Sequence, residues 1–156
     1  MDFVFTISAI VQSMAVSLGV GCSTIAIINF FVAISDGQID ENERKMMGIV
    51  YVLLRLSMVF ILLSTTIIAC LYFIAGTNYF MAFTMSYWTL LIVLYTNAIL
   101  MTKRKMPSNI GPALQASTWY TLGILTALIP LELTAFSYFQ FIVGYLSAIA
   151  LGVAVV

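Results

Sequence analysis

The sequence predicts an all-α fold: a polytopic transmembrane bundle of five spanning helices, N-terminus out and C-terminus in. Three observations predict it. The 156 residues are 63% hydrophobic and only 8% charged, with mean hydropathy +1.12, whereas a soluble domain carries about 25% charged residues. The charge-free runs are long enough to cross a bilayer, whose hydrocarbon core of about 30 Å needs roughly 20 apolar residues. Five of the six basic residues, Arg44, Lys45, Lys103, Arg104 and Lys105, lie just outside those runs on one expected side. A small domain keeps a large exposed area, so in water it could not hide this much apolar surface. Lipid as the solvent removes the conflict.

The expected spans cover residues 3–34, 46–75, 79–101, 110–131 and 133–156, and residues 1–156 form a single integral membrane domain. The runs lack the period-two alternation of barrel strands. Backbone groups in lipid need internal partners, so the spans must be helices.

The first span begins MDFVF, with Asp2 where a secretory signal peptide has a basic region, and its apolar stretch exceeds a signal's apolar core. It reads as a retained helix. Its 32 residues would extend about 48 Å if straight. That surplus over the bilayer core implies a steep tilt, a break near Gly19-Val20-Gly21, or first turns lying in the outer interface. The span carries two rows of small residues spaced by four: Ser13, Ser17, Gly21 and Ala15, Gly19, Ser23. Such rows let helices approach closely in lipid, within the chain or between copies. A break at Gly19–Gly21 would instead expose backbone groups to a substrate.

Asp36-Gly37 makes a turn after the first helix, and Asp40 with Glu43 fits a capping box for the second. The acidic stretch Asp36–Glu43 resembles the second half of a calcium-binding EF-hand loop. Its first two ligand positions would be Val32 and Ile34, which offer no side-chain oxygen, so the stretch reads as a turn and a cap. Gly76-Thr77-Asn78 is the next turn. Ser108 or Asn109 can cap the fourth helix, with Pro112 in its first turn, and Glu132 marks the last turn.

The five basic residues outside the spans all fall in the loops after spans one and three. The N-terminus, the 76–78 turn and the Glu132 turn carry none. The positive-inside rule then places both basic loops in the cytoplasm. So strong a bias argues against insertion in both orientations.

Function is less legible. With no histidine in the chain, the commonest metal ligand and general base are missing. No metal or cofactor is expected, and the zero net charge points to no nucleic acid. Cys22 and Cys70 differ in height by roughly 18 Å, too far for a disulfide, and both read as buried filler. Met81 and Met85 share a face and could offer thioethers to Cu(I), but the Gly-xxx-Gly helix expected to follow is missing. Tyr79, Phe80, Tyr87, Trp88, Tyr138 and Phe139 partly fall where an outer interfacial belt would. Trp119 and Tyr120 lie deeper, as packing residues.

Arg55 is the one charged residue well inside a span. It reads either as a snorkelling residue that reaches back toward headgroups or Asp36, or as an anion contact. Asn29, Asn97 and Gln115 sit at similar depth on other spans, where each could equally be an interhelical hydrogen bonder. Two functional classes follow. One is a non-catalytic subunit that associates with partner membrane proteins or as a parallel homo-oligomer in the bilayer. The other is a small permease or channel for an anionic or zwitterionic solute, with Arg55, Asn29, Asn97 and Gln115 lining its inner vestibule. A bacterial-type cytoplasmic membrane is the expected location.

Overall fold

The computed structural model describes residues 2–36, 40–76, 81–107 and 110–155. They form five helices: α1 (Asp2–Asp36), α2 (Glu41–Ile74), α3 (Ala82–Thr102), α4 (Ile110–Leu128) and α5 (Tyr138–Val155). There is no strand among the described residues.

α1 runs unbroken through Gly19-Val20-Gly21. Its 35 residues extend about 52 Å. It forms a long antiparallel hairpin with α2, the most extensive helix pair in the molecule. The start of α2 is held by the expected capping box: Asp40 Oδ1 accepts from the Glu43 N–H at 2.7 Å, and Glu43 Oε2 accepts from the Asp40 N–H at 3.0 Å. After the C-cap Ala75, Gly76 adopts φ +64°, a left-handed conformation that only glycine takes without strain. The expected features at Gly37, Thr77, Asn78, Tyr79, Phe80, Ser108 and Asn109 lie outside the described residues.

The last two elements differ from the sequence expectation. α4 stops at Leu128, not at residue 131. Pro130 follows it, and Glu132 takes φ 56°. α5 starts at Tyr138, five residues after the expected position, where Ser137 and Gln140 form a second reciprocal cap. Ser137 Oγ accepts from the Gln140 N–H at 3.2 Å, and Gln140 Oε1 accepts from the Ser137 N–H at 2.9 Å.

By length and composition, α1 (over Asp2–Asn29), α2 and α3 can each cross a membrane, and α5 is a shorter apolar helix. The molecule therefore has several apolar helices compatible with a membrane protein. α4 is not among these and carries Ser117, Thr118, Thr121 and Thr126. It packs against α1, α3 and α5, and Ser117, Thr118, Trp119, Leu122 and Leu125 are all buried. Its opposite face, with Tyr120 and Ile124, is exposed. Hydroxyls on the packed face can be satisfied by neighbouring helices.

Those hydroxyls follow one recurring arrangement. Thr24, Thr89 and Thr118 each donate to the carbonyl four residues back, at 2.9, 2.8 and 2.6 Å. Each then receives a tyrosine hydroxyl from another helix: Tyr120 at 2.7 Å, Tyr138 at 2.8 Å and Tyr145 at 2.7 Å. A threonine has one hydroxyl proton, and here it is already committed, so the tyrosine is the donor. The three pairs join α1 to α4, α3 to α5 and α4 to α5.

Several side chains lie elsewhere than expected. Cys22 is buried, but Cys70 is exposed. Tyr87 is buried rather than on an interfacial belt. Tyr87 instead contacts Phe83, which also meets Phe136 of the segment before α5, with centroids 6.3 and 6.1 Å apart, and within α5 Phe141 meets both Tyr138 and Tyr145 at 5.8 Å. Phe139 is exposed. Trp119 is fully buried, and Tyr120 is half exposed while reaching Thr24.

Candidate functional site

α2 and α3 are not a closely packed pair, although both lie beside other helices. Where they part there is a cavity of about 290 Å³, lined by Tyr51, Leu54, Arg55 and Met58 of α2, Ala98, Met101 and Thr102 of α3, and Gln115 of α4. Leu54 and Met58 are buried, whereas Tyr51, Arg55 and Thr102 are exposed at the rim. Tyr95 of α3 bridges the two helices by donating its hydroxyl to the Met58 carbonyl at 2.7 Å.

Gln115 is positioned by α3. Asn97, buried to 1% exposure, donates through Nδ2 to Gln115 Oε1 at 3.0 Å and to the Gly111 carbonyl at 2.8 Å. Gly111 permits the close approach, because a Cβ there would come within 2.9 Å of the Met101 side chain. Both Asn97 donors are thus used within the α3–α4 hairpin. Among the described residues, the Gln115 amide donor has only the Met58 sulfur near it, at 4.0 Å, a weak acceptor. Among those residues its donor capacity is thus largely unused at the cavity. Asn97 Oδ1 is buried and has no partner among the described residues.

Arg55 makes no ion pair or hydrogen bond among the described residues; the one ion pair among them is the exposed Lys45–Glu41 contact at 3.0 Å on α2. The guanidinium, with five donors in a planar fork, therefore stands uncommitted on a mainly apolar cavity. Thr102 on that cavity is followed at once by Lys103, Arg104 and Lys105, and Arg44 and Lys45 lie in the first turns of α2. All five are exposed. The cavity thus opens toward the basic end of the bundle.

A smaller void of about 60 Å³ adjoins it and shares Tyr51, Leu54, Met101 and Gln115 as lining. Ser23 of α1 lines this inner void. Its hydroxyl is buried with no partner among the described residues.

The structure thus brings Arg55, Gln115 and Asn97 into one neighbourhood. Asn97 itself lines neither void, and neither does Asn29. The Asn29 Nδ2 is buried without a partner among the described residues. The two small-residue rows of α1 also separate. Ala15, Gly19 and Ser23 are buried, and a Cβ on Gly19 would overlap the Trp119 ring of α4. Ser13, Ser17 and Gly21 are exposed, with open space around Gly21. The rows are offset by two residues, about 200° around the helix, so they face opposite ways. Sequence reasoning did not reach Tyr51, Thr102 or the Ser23 void, because each depends on which helices diverge. Met81, the residue before α3, and Met85 are both exposed.

Comparison with known proteins finds no matching family model, no matching curated protein and no matching solved structure.

Proposed function

We propose that this chain is an integral membrane protein of five spanning helices, N-terminus out and C-terminus in. In this reading it works without catalysis, by receiving an anionic or zwitterionic group in the α2–α3 cleft at its cytoplasmic end. The observation that carries the proposal is an arginine with no partner among the described residues, on the same cavity as a glutamine whose amide donor has only a methionine sulfur near it among those residues. A charge held at membrane depth is costly, and an unpaired one is explained by a counter-charge it meets in use. Arginine cannot serve as a base, and without histidine nothing in this cleft activates a nucleophile. Binding and passage fit the cleft better than bond-breaking.

A second reading keeps its own support. The exposed row Ser13, Ser17, Gly21 offers a face on which another helix could pack closely, as in a subunit of a larger membrane assembly. The other row is occupied inside the chain by Trp119, which halves the surface available to that reading.

The test compares wild-type protein and Arg55→Leu, each purified from its membrane in mild detergent and then denatured. Mass spectrometry of the released small molecules and lipids should find an anionic or zwitterionic compound with the wild type that Arg55→Leu lacks. Identical profiles would refute the binding reading and leave the subunit reading. Orientation is tested in a Cys70→Ala background with Lys105→Cys. An impermeant maleimide should label this cysteine only after the cells are permeabilised.

A further inference from the structure

We infer that the occupant of the α2–α3 cleft is an anionic lipid that enters sideways from the basic-end leaflet, with its phosphate on Arg55 and its chains on the apolar helix faces beside the mouth. This rests on the binding reading above and specifies its ligand class. Four features of the cleft carry it.

The cleft opens between two helices rather than down the bundle axis. α4 stands behind it through Gln115, whereas α2 and α3 do not pack closely against each other and are bridged at the cleft by the Tyr95–Met58 bond. Its walls are mainly apolar (Leu54, Met58, Ala98 and Met101), and its polar groups gather at the rim and back as Tyr51, Arg55, Thr102 and Gln115. A freely soluble anion gains little from such walls, whereas an amphiphile matches both halves.

The outer surface beside the mouth continues the apolar path. Val52, Leu56 and Val59 on α2 are 64%, 44% and 49% exposed, and Ile92 and Ile99 on α3 are 64% and 52% exposed. Alkyl chains laid along these faces would remain in the bilayer while the headgroup turned inward. The charge pattern agrees. Arg55 has no protein counter-ion among the described residues, and Lys103, Arg104 and Lys105 follow directly on Thr102 at the same rim. A phosphate diester suits the planar guanidinium fork, and juxtamembrane basic residues attract anionic lipid to that leaflet.

The experiment measures thermal unfolding of delipidated full-length protein in mild detergent. The probes are dioleoyl-phosphatidylglycerol, dioleoyl-phosphatidylcholine and the chain-free headgroup analogue glycerol 3-phosphate. Phosphatidylglycerol should stabilise the wild type at concentrations about tenfold or more below those needed for phosphatidylcholine, the ratio expected from losing one charge-assisted contact. Glycerol 3-phosphate should have no effect. Arg55→Gln should abolish the preference and Arg55→Lys should retain part of it. Ala98→Leu, which fills the cleft and leaves the charge, should weaken phosphatidylglycerol specifically. Equal effects of the two lipids on the wild type, or an unchanged preference in Arg55→Gln, would overturn the inference. If glycerol 3-phosphate alone stabilises in an Arg55-dependent way, the lipid inference fails while the binding reading stands. If no probe shows Arg55 dependence and Arg55→Leu releases the same compounds as the wild type, both fail.

Discussion

Gly19 of α1 lies against Trp119 of α4, so closely that a single added carbon at Gly19 would overlap the benzo edge of the indole. Trp119 is fully buried, so the ring has no open side to move into. Gly123 repeats the contact from the other partner, since a Cβ there would stand 3.1 Å from Val20 of α1. Close approach of α1 and α4 thus depends on missing side chains on both helices.

Gly19→Ala is therefore expected to destabilise by about 1–3 kcal/mol, the usual range for overpacking, measured as loss of thermal stability in mild detergent. Gly21→Ala has open space and should be neutral or slightly stabilising, because alanine is the better helix former. Adding Trp119→Phe to Gly19→Ala removes the clashing edge, together with an indole N–H that has no partner among the described residues. The double variant should be less damaged than the sum of the two singles. Strict additivity would show that the contact is not what sets the helix spacing.

Asn97 predicts an unusual ranking of substitutions. Its Nδ2 donates twice, while its Oδ1 has no partner among the described residues. Asn97→Leu loses two bonds but also removes the orphaned oxygen, so a cost of about 1–3 kcal/mol is expected. Asn97→Asp keeps the shape but sets a carboxylate against the Gly111 carbonyl and the Gln115 amide oxygen. It should cost more than about 3 kcal/mol, as an uncompensated buried charge does. The same unfolding assay decides it, and Asn97→Asp proving the milder change would refute the assigned amide orientation.

The threonine–tyrosine pairs predict an asymmetry. Tyr145→Phe leaves Thr118 still donating to the Leu114 carbonyl, so only one interhelical bond is lost, about 0.6 kcal/mol on average and at most about 1.7. Thr118→Val removes the acceptor and strands the buried tyrosine hydroxyl, and should cost more. Comparing the melting temperatures of the two variants tests the direction of donation.

The cap at Asp40 should act locally. Asp40→Ala removes the acceptor for the Glu43 N–H at an exposed helix start, where such caps are worth about 1 kcal/mol. Hydrogen exchange of the amides of Glu41–Arg44 is expected to speed up, while exchange around the buried Ser57, Ile61 and Ser64 stays unchanged. Faster exchange at both places would mean that this turn supports the whole hairpin.

The Asp40–Glu43 cap was legible because a capping box is a local spacing rule. The Ser137–Gln140 box obeys the same rule, yet it was hidden inside an apolar run that looked like one continuous span from Leu133. Depth along each helix grouped Arg55, Asn29, Asn97 and Gln115, since rise per residue is fixed. Of these, Arg55 and Gln115 line the cavity, Asn97 reaches it only through Gln115, and Asn29 does not line it. Height follows from counting, but the direction a residue faces follows from which neighbour its helix leans on. The Thr24–Tyr120 pair, 96 residues apart in sequence, has no local signal at all.

What the chain's order of residues determined alone is helical type, approximate length, the basic end and the apolar character of the helices. These follow from backbone hydrogen bonding and solvent preference, which act residue by residue. Only the tertiary structure decided that α4 packs against three other helices, that one small-residue row of α1 is spent on Trp119 while the other stays open, and that α2 and α3 part around Arg55. Those outcomes depend on side-chain shape meeting side-chain shape across helices distant in sequence, where close packing admits few arrangements.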